Sequence, residues 1–296
     1  MSTRRSNWGR WGAADERGAL NLLTPERVLA ALRLPRTGKT YGLSIPIQRT
    51  GVPNLEYRGT PQRLTLTNHS DEAMARAHGG APGVGANEDQ LILPSHTSTH
   101  LDALCHVYAD GKIYNGFPAD EMTPYAGAAR CGIEKVGGIA GRGVLVDVAA
   151  AHGVATLPPG HVITADDLRR ALEIQGTELR TGDLVLVRTG WLEDYLAHQG
   201  DVLPQPGLGL DAAAFLAESD VALVGSDNAA VESIPFDQDV YLGGHILLLV
   251  ENGIHLVENL HLAELAADRC HEFLLTIGAL RITGATASPV TPVAIG

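Results

Sequence analysis

The residue types that bind metals or move protons crowd into one stretch of this chain, Ser95–His106, which reads SHTSTHLDALCH. It holds His96, His100, Asp102 and His106. A regular strand would put these four even-numbered residues on one face, but would spread the first and last over ~33 Å at about 3.3 Å per residue. One metal ion cannot be reached from both ends. A regular helix stacks His100 one turn from His96 but sends Asp102 about 200° round from His100. Neither regular element gathers all four. A bent segment does, with a compact turn joining the histidines and an extended step returning Asp102. The intervening Ser and Thr residues suit such a turn, because their hydroxyls bond local backbone. Two imidazoles and a carboxylate suit zinc or manganese and leave positions open for water, the mark of a catalytic site. The bland alternative is a polar loop, since a histidine pair four apart is no rarity among 12 His. Cys105 lies beside His106 but on an extended chain points to the opposite face, and a free cysteine is usually a small buried hydrophobe.

The rest of the composition narrows the classes. The chain has 296 residues and 45% hydrophobic content, enough for a sizeable core, and no linker divides it, so a single domain over 1–296 is expected. Lys and Arg total 22 against 34 Asp and Glu, a net charge of −12. An acidic surface repels phosphate backbones, so neither nucleic acid nor an anionic membrane is an expected partner. Three cysteines without a paired pattern fit a reducing compartment. The opening MSTRRSNWGRWG carries no apolar run of the secretory kind, and the expectation is a cytoplasmic protein.

Elements that could position the cluster are legible along the chain. Thr24-Pro25-Glu26 opens a helix, with a capping Thr, Pro at its first position and an acid in the first turn. Thr164 caps another, with Asp166 and Asp167 in its first turn. A third starts at Asp211, and residues 241–251 carry helix-like apolar content ended by Gly253. Strands are expected over 41–47, 63–67, 143–148, 183–188, 221–225, 254–257, 272–277 and 280–283, and a long loop over 70–90. Several of these strands are short and fully apolar, which predicts an α/β fold with a central sheet covered by helices.

The stretch His96-x-Ser98-Thr99-His100-x-Asp102-x-x-x-His106 resembles the HxGTHxDxPxH signature of the putative cyclase family, whose members include bacterial kynurenine formamidase, isatin hydrolase and trans-dienelactone hydrolase. NWGRWGAADERGALNLLTPERV, the run His106–Gly116, LVLVRTGW, VGSDNAAVE and ITGATASPVTPVAI resemble its longer bacterial branch. Ser98 stands for the family Gly and Leu104 for the Pro; neither is a ligand position. The resemblance implies a cyclase-like swivelling β/β/α fold, a central mixed sheet flanked by helices. It implies that His96, His100 and Asp102 bind metal, that His106 is the catalytic acid/base, and that His245 and Glu258 belong to the same site. One or two Mn²⁺ or Zn²⁺ ions per chain are implied, as is a homodimer or homotetramer. The implied reaction is hydrolysis of an amide, lactam or lactone of a small substrate; a lyase or cyclase acting through an enolate is the alternative, and a non-catalytic binding module would have a broken site. Independently, Glu258 follows an apolar strand, where a bare carboxylate needs a partner. Tyr114, Asn115, Trp191 and Asp227 are candidate substrate contacts from their places after the motif or at strand ends. Trp8 and Trp11 are candidates to cover a pocket. The other histidines are read as structural or surface residues.

Overall fold

The computed structural model describes residues 6–296. A nine-stranded mixed sheet forms its centre. In spatial order the strands are Thr40–Gly42, Val293–Ile295, Glu272–Gly278, Gly138–Asp147, Leu184–Arg188, Leu223–Ser226, His255–Glu258, His100–Asp102 and Ala287–Pro289. The four strands from Gly138–Asp147 to His255–Glu258 run parallel, and the remaining pairings are antiparallel. Leu184–Arg188 is buried at every position, which is why Leu184–Val187 reads as an unbroken apolar run rather than an alternation.

The sheet must curl. Ala287–Pro289 and Val293–Ile295 lie seven strands apart in the spatial order. In a flat sheet that separation would be about 34 Å at ~4.8 Å per strand. The chain between Pro289 and Val293 can span at most about 14 Å. Backbone bonds from Val290 N to Thr99 O and from Leu43 N to Pro292 O, together with the Ala279–Val290 bridge, close the gap. The curl brings the His100–Asp102 strand, near one edge, under the segment that follows the other edge strand.

Helices cover the sheet. Pro25–Ala31 starts as expected, Thr24 accepting from Arg27 N. Ala165–Gln175 opens on a capping box between Thr164 and Asp167 and ends at Gly176 in the left-handed conformation. Leu210–Glu218 begins one residue before Asp211. Several expectations need correction. The 41–47 strand is only Thr40–Gly42, because the chain then leaves the sheet. The 70–90 loop contains a helix, Glu72–Ala77, and the start of Glu88–Ile92, which pairs with Gln62–Thr67 in a separate two-stranded sheet. Residues 280–283 are not a strand; the closing strands are Ala287–Pro289 and Val293–Ile295. Residues 241–251 form a short α-turn, Gly243–His245, that widens into a π-helix, Ile246–Glu251. Such widened turns recur at functional sites.

The N-terminal segment clamps that π-helix. Asn7 N donates to Glu251 O at 2.8 Å, Trp8 Nε1 to Val250 O at 2.6 Å and Ala19 N to Gly253 O at 2.7 Å. Gly18 and Gly253 meet backbone to backbone: a Cβ on Gly18, whose φ is +58°, would lie 2.1 Å from Gly253 O. Gly18→Ala should therefore destabilise the protein by at least about 2 kcal/mol, combining left-handed strain with overpacking. Urea unfolding of the variant checks this, and a midpoint equal to wild type would contradict the clamp.

Candidate metal centre

The bent segment expected from the sequence is what forms. Residues 94–99 turn, and His100–Asp102 is a short strand buried at all three positions. His100 and Asp102 share one face of it by the two-residue period. The next strand places Glu258 directly opposite His100. The turn is tied down at Ser98, whose φ is +51°. Ser98 Oγ donates to Pro46 O at 2.8 Å, and Ser98 O accepts from Asn259 Nδ2 at 3.0 Å. His100 Nδ1 lies 2.9 Å from the same carbonyl, which turns His100 Nε2 towards the carboxylates. Thr99 Oγ1 donates to Asn259 O at 2.6 Å and accepts from Ile45 N. A serine thus replaces the signature glycine in a left-handed position and is held there by side-chain and backbone bonds.

Around Asp102 the imidazoles converge. His96 Nε2 is 3.3 Å and His100 Nε2 3.7 Å from Asp102 Oδ1, and His245 Nε2 is 3.8 Å from Oδ2. His100 Nε2 lies 3.1 Å from Glu258 Oε2, and His245 Nε2 lies 3.5 Å from Glu258 Oε1. His106 stacks tilted against His96, ring centroids 4.0 Å apart, and its ring is 6.1 Å from that of His245. Ligand atoms of His96, Asp102 and His106 fall within 4.8 Å of one another, and so do those of Asp102, His245 and Glu258. Asp102 is common to both groups.

Burial makes this arrangement costly unless something fills it. Asp102 is fully buried, and both its oxygens lack a hydrogen-bond partner, as do His96 Nε2, His100 Nε2 and Glu258 Oε2. Each unpartnered buried polar group costs about 1–3 kcal/mol, more when charged. Five such atoms facing one another, two imidazole nitrogens and three carboxylate oxygens, are the donor set of a borderline divalent ion. The residues fit a metal, with His245 available as a further ligand and His106 at the rim. Burial raises the Asp102 pKa, though the nearby His106, His100 and His245 pull it down. Glu258 would rise by burial too, but His100 and His245 hold it below the usual carboxylate range. His245 is pushed up to about 10, Glu232 and Glu258 outweighing its burial. Burial lowers His96 and His106.

The chain belongs to the putative cyclase family, whose model matches residues 41–233. The kynurenine formamidase of Bacillus cereus is 28% identical over 210 residues, covering 70% of this chain and 79% of that protein. A crystal structure described as that of a novel cyclase is 36% identical, with a TM-score of 0.89 over 98% of this chain and 97% of its own. Isatin hydrolase A from Labrenzia aggregata shares the fold at 18% identity, with a TM-score of 0.61 over 86% of this chain and 93% of its own.

The structure brings His96, His100, Asp102, His106, His245 and Glu258 together. The four candidate substrate contacts have other occupations. Tyr114 is fully buried, donates to Asp15 Oδ2 at 2.9 Å, and packs where a Cβ on Gly253 would strike it. Asn115 binds Gly12 O and Asp15 O and accepts from Gly9 N. Both therefore anchor the N-terminal segment. Trp191 opens the Trp191–His198 helix and packs with Ile45, Val52 and Ala229, stacked on Tyr195 at 5.4 Å. Asp227 accepts from Thr189 N, Thr189 Oγ1 and Gly190 N, and its pKa is pushed up to about 6 because burial outweighs those bonds. Trp8 is bonded to Val250 O and Trp11 lies under Arg10, so both are engaged within the N-terminal segment and its clamp. Burial pushes the Cys105 thiol up to about 12, so it is not a ready nucleophile.

One residue escaped the sequence reading. Glu232 is 4% exposed, and its carboxylate accepts from Gly244 N at 2.9 Å and His245 N at 3.3 Å and bonds His245 Nδ1 in a short contact. A Cβ on Gly244 would come within 3.1 Å of Glu232 Cβ, so glycine there permits the approach. The pair fixes which His245 nitrogen faces the cluster, as carboxylates behind metal-binding histidines do. The available signal was an acid ending the apolar run Ala229–Val231, the same signal read at Glu258. Glu232→Gln should weaken metal binding by about 10–100-fold with the fold intact. Competition titration against a chelator checks this, and unchanged affinity would contradict the role.

Proposed function

We propose that this protein is a metal-dependent hydrolase that opens an amide, lactam or lactone of a small substrate. The observation that carries the reading is the buried set of unpartnered ligand atoms around Asp102 with His106 at its rim. Membership of the putative cyclase family and similarity to the Bacillus kynurenine formamidases support it. His96, His100, Asp102, His245 and Glu258 would hold one or two Mn²⁺ or Zn²⁺ ions. A metal there would acidify a water and polarise the substrate carbonyl.

The chain's own groups supply the rest. His106 is partly buried, and burial lowers its pKa, so the imidazole is neutral near pH 7 and free to accept a proton. It takes the proton from the attacking water and returns it to the leaving nitrogen or oxygen. A recess of about 110 Å³ beside it, lined by Cys105, Ile113, Glu121, Met122 and Arg130, would receive part of the substrate. Glu232 keeps His245 in one orientation through the cycle. Asp102 and Glu258, both buried, supply the negative charge that a cation requires.

A panel of N-formyl anilines, lactams and lactones, read by product mass, tests the proposal. Turnover should add one water to the substrate. Turnover without addition of water would transfer the site to enolate chemistry, and no turnover of any member by metal-loaded protein would overturn the substrate class. His106→Ala should lower kcat by about 10²–10⁴-fold with metal content unchanged. Loss of metal in that variant would make His106 a ligand rather than the acid/base.

We further propose self-association through the arm formed by Gln62–Thr67 and Glu88–Ile92. Leu64, Leu66, Leu91 and Ile92 are all exposed on it, and an isolated two-stranded hairpin is marginal in water. Light scattering at micromolar concentration should give a dimer or tetramer; a monomer would contradict the proposal.

A further inference from the structure

A second group of ligand types lies away from the centre just described. His152 caps the C-terminal end of the Val148–Ala151 helix, and Asp167 sits in the first turn of Ala165–Gln175. His161 comes from the connection between the two helices. One ligand atom from each of His152, His161 and Asp167 lies within 4.8 Å of the others. The rings of His152 and His161 meet edge to face at 5.3 Å, and His152 Nε2 is 2.8 Å from Asp167 Oδ1.

We propose that these three residues form a separate binding site for a borderline divalent transition-metal ion, zinc being the probe. Three observations converge on it. The carboxylate is prepared: Asp167 Oδ2 accepts from Thr164 N at 2.8 Å and Thr164 Oγ1 at 2.7 Å, which fixes the side chain and leaves Oδ1 towards the histidines. The acceptor is unfilled: His161 Nε2 is shielded from water and has no hydrogen-bond partner. The exit is open: His152 is exposed, and its side chain is 28% accessible, so water can complete the coordination. Two imidazoles and one carboxylate with an open position are a donor set zinc accepts. The His152–Asp167 contact alone would be an ordinary surface pair. It is the shielded, unpartnered nitrogen of His161, whose ring meets that of His152 edge to face, that points to a ligand.

An ion here would tie the end of one helix to the start of the next and pin the connection between them. That connection also touches the strand end at Arg188–Gly190. Arg188 Nη2 donates to Ala155 O, and Leu157 N donates to Thr189 O. The site is therefore a structural staple next to the segment that Asp227 holds.

The test is a metal count on the intact, metal-loaded protein. Wild type, His152→Ala and His161→Ala are equilibrated with excess zinc, passed through gel filtration and analysed for total metal. Wild type should hold one metal ion more per chain than either variant, whatever the number at the Asp102 centre. Equal counts in the three proteins would overturn the proposal. A second reading uses wild type alone: zinc added beyond the ions of the Asp102 centre should slow hydrogen–deuterium exchange in peptides covering residues 152–167. Exchange there that is unaffected by zinc would overturn it as well.

Discussion

The Asp102 carboxylate sets the terms for the rest of this molecule. It is wholly buried and receives no hydrogen bond. A buried charge without partners is costly by several kcal/mol, so the groups turned towards it decide whether it can stay ionised. The imidazoles of His96, His100 and His245, all turned towards it, are those groups. They come from two separated parts of the chain, so the centre is a tertiary product rather than a local motif.

Two devices deliver them. The first is the sheet. Its curl seats His100–Asp102 beside His255–Glu258, and the antiparallel register sets His100 against Glu258. Ser98 and Asn259, both at positive φ, then lock the two strand ends to each other through their carbonyls. The second is the clamp on His245. Glu232 holds its imidazole and its backbone from one side. From the other, Asn7 and Trp8 hold the end of the π-helix that follows His245, and Gly18 and Ala19 pack on Gly253 just beyond it. The N-terminal segment is far from the cluster in sequence but fixes an element that feeds it. This gives a physical reason for glycine at positions 18 and 253, which are left-handed, and at 244, where a Cβ would crowd Glu232.

How much of this was legible follows from the range of each signal. His96, His100, Asp102 and His106 were readable because the spacing excludes both regular elements and leaves a bend. Glu258 was readable as a carboxylate closing an apolar strand. Helix starts at Pro25 and Ala165 were readable because capping is local chemistry. His245 came from family resemblance, since nothing near it in sequence marks it. Glu232 was missed, although the argument used for Glu258 applies to it. Tyr114, Asn115, Trp191 and Asp227 were read as substrate contacts from their positions alone, and a polar or aromatic residue at a strand end serves structure or substrate equally well in sequence. Their partners within the chain are Asp15, the N-terminal backbone, Tyr195 and the Thr189–Gly190 amides, none of which a local reading could supply. The closing strands were misplaced because 280–283 is as apolar as the strands that replace it, while long-range pairing chose 287–289 and 293–295.

The most direct measurement is elemental analysis of purified wild type beside Asp102→Asn, both freed of loosely held ions by gel filtration through a weak chelator. The account predicts stoichiometric manganese or zinc in the wild type and its loss in the variant, with the variant still folded by circular dichroism. Equal metal in both proteins, or none in the wild type even after addition of either ion, would contradict it and leave the buried carboxylate without its explanation.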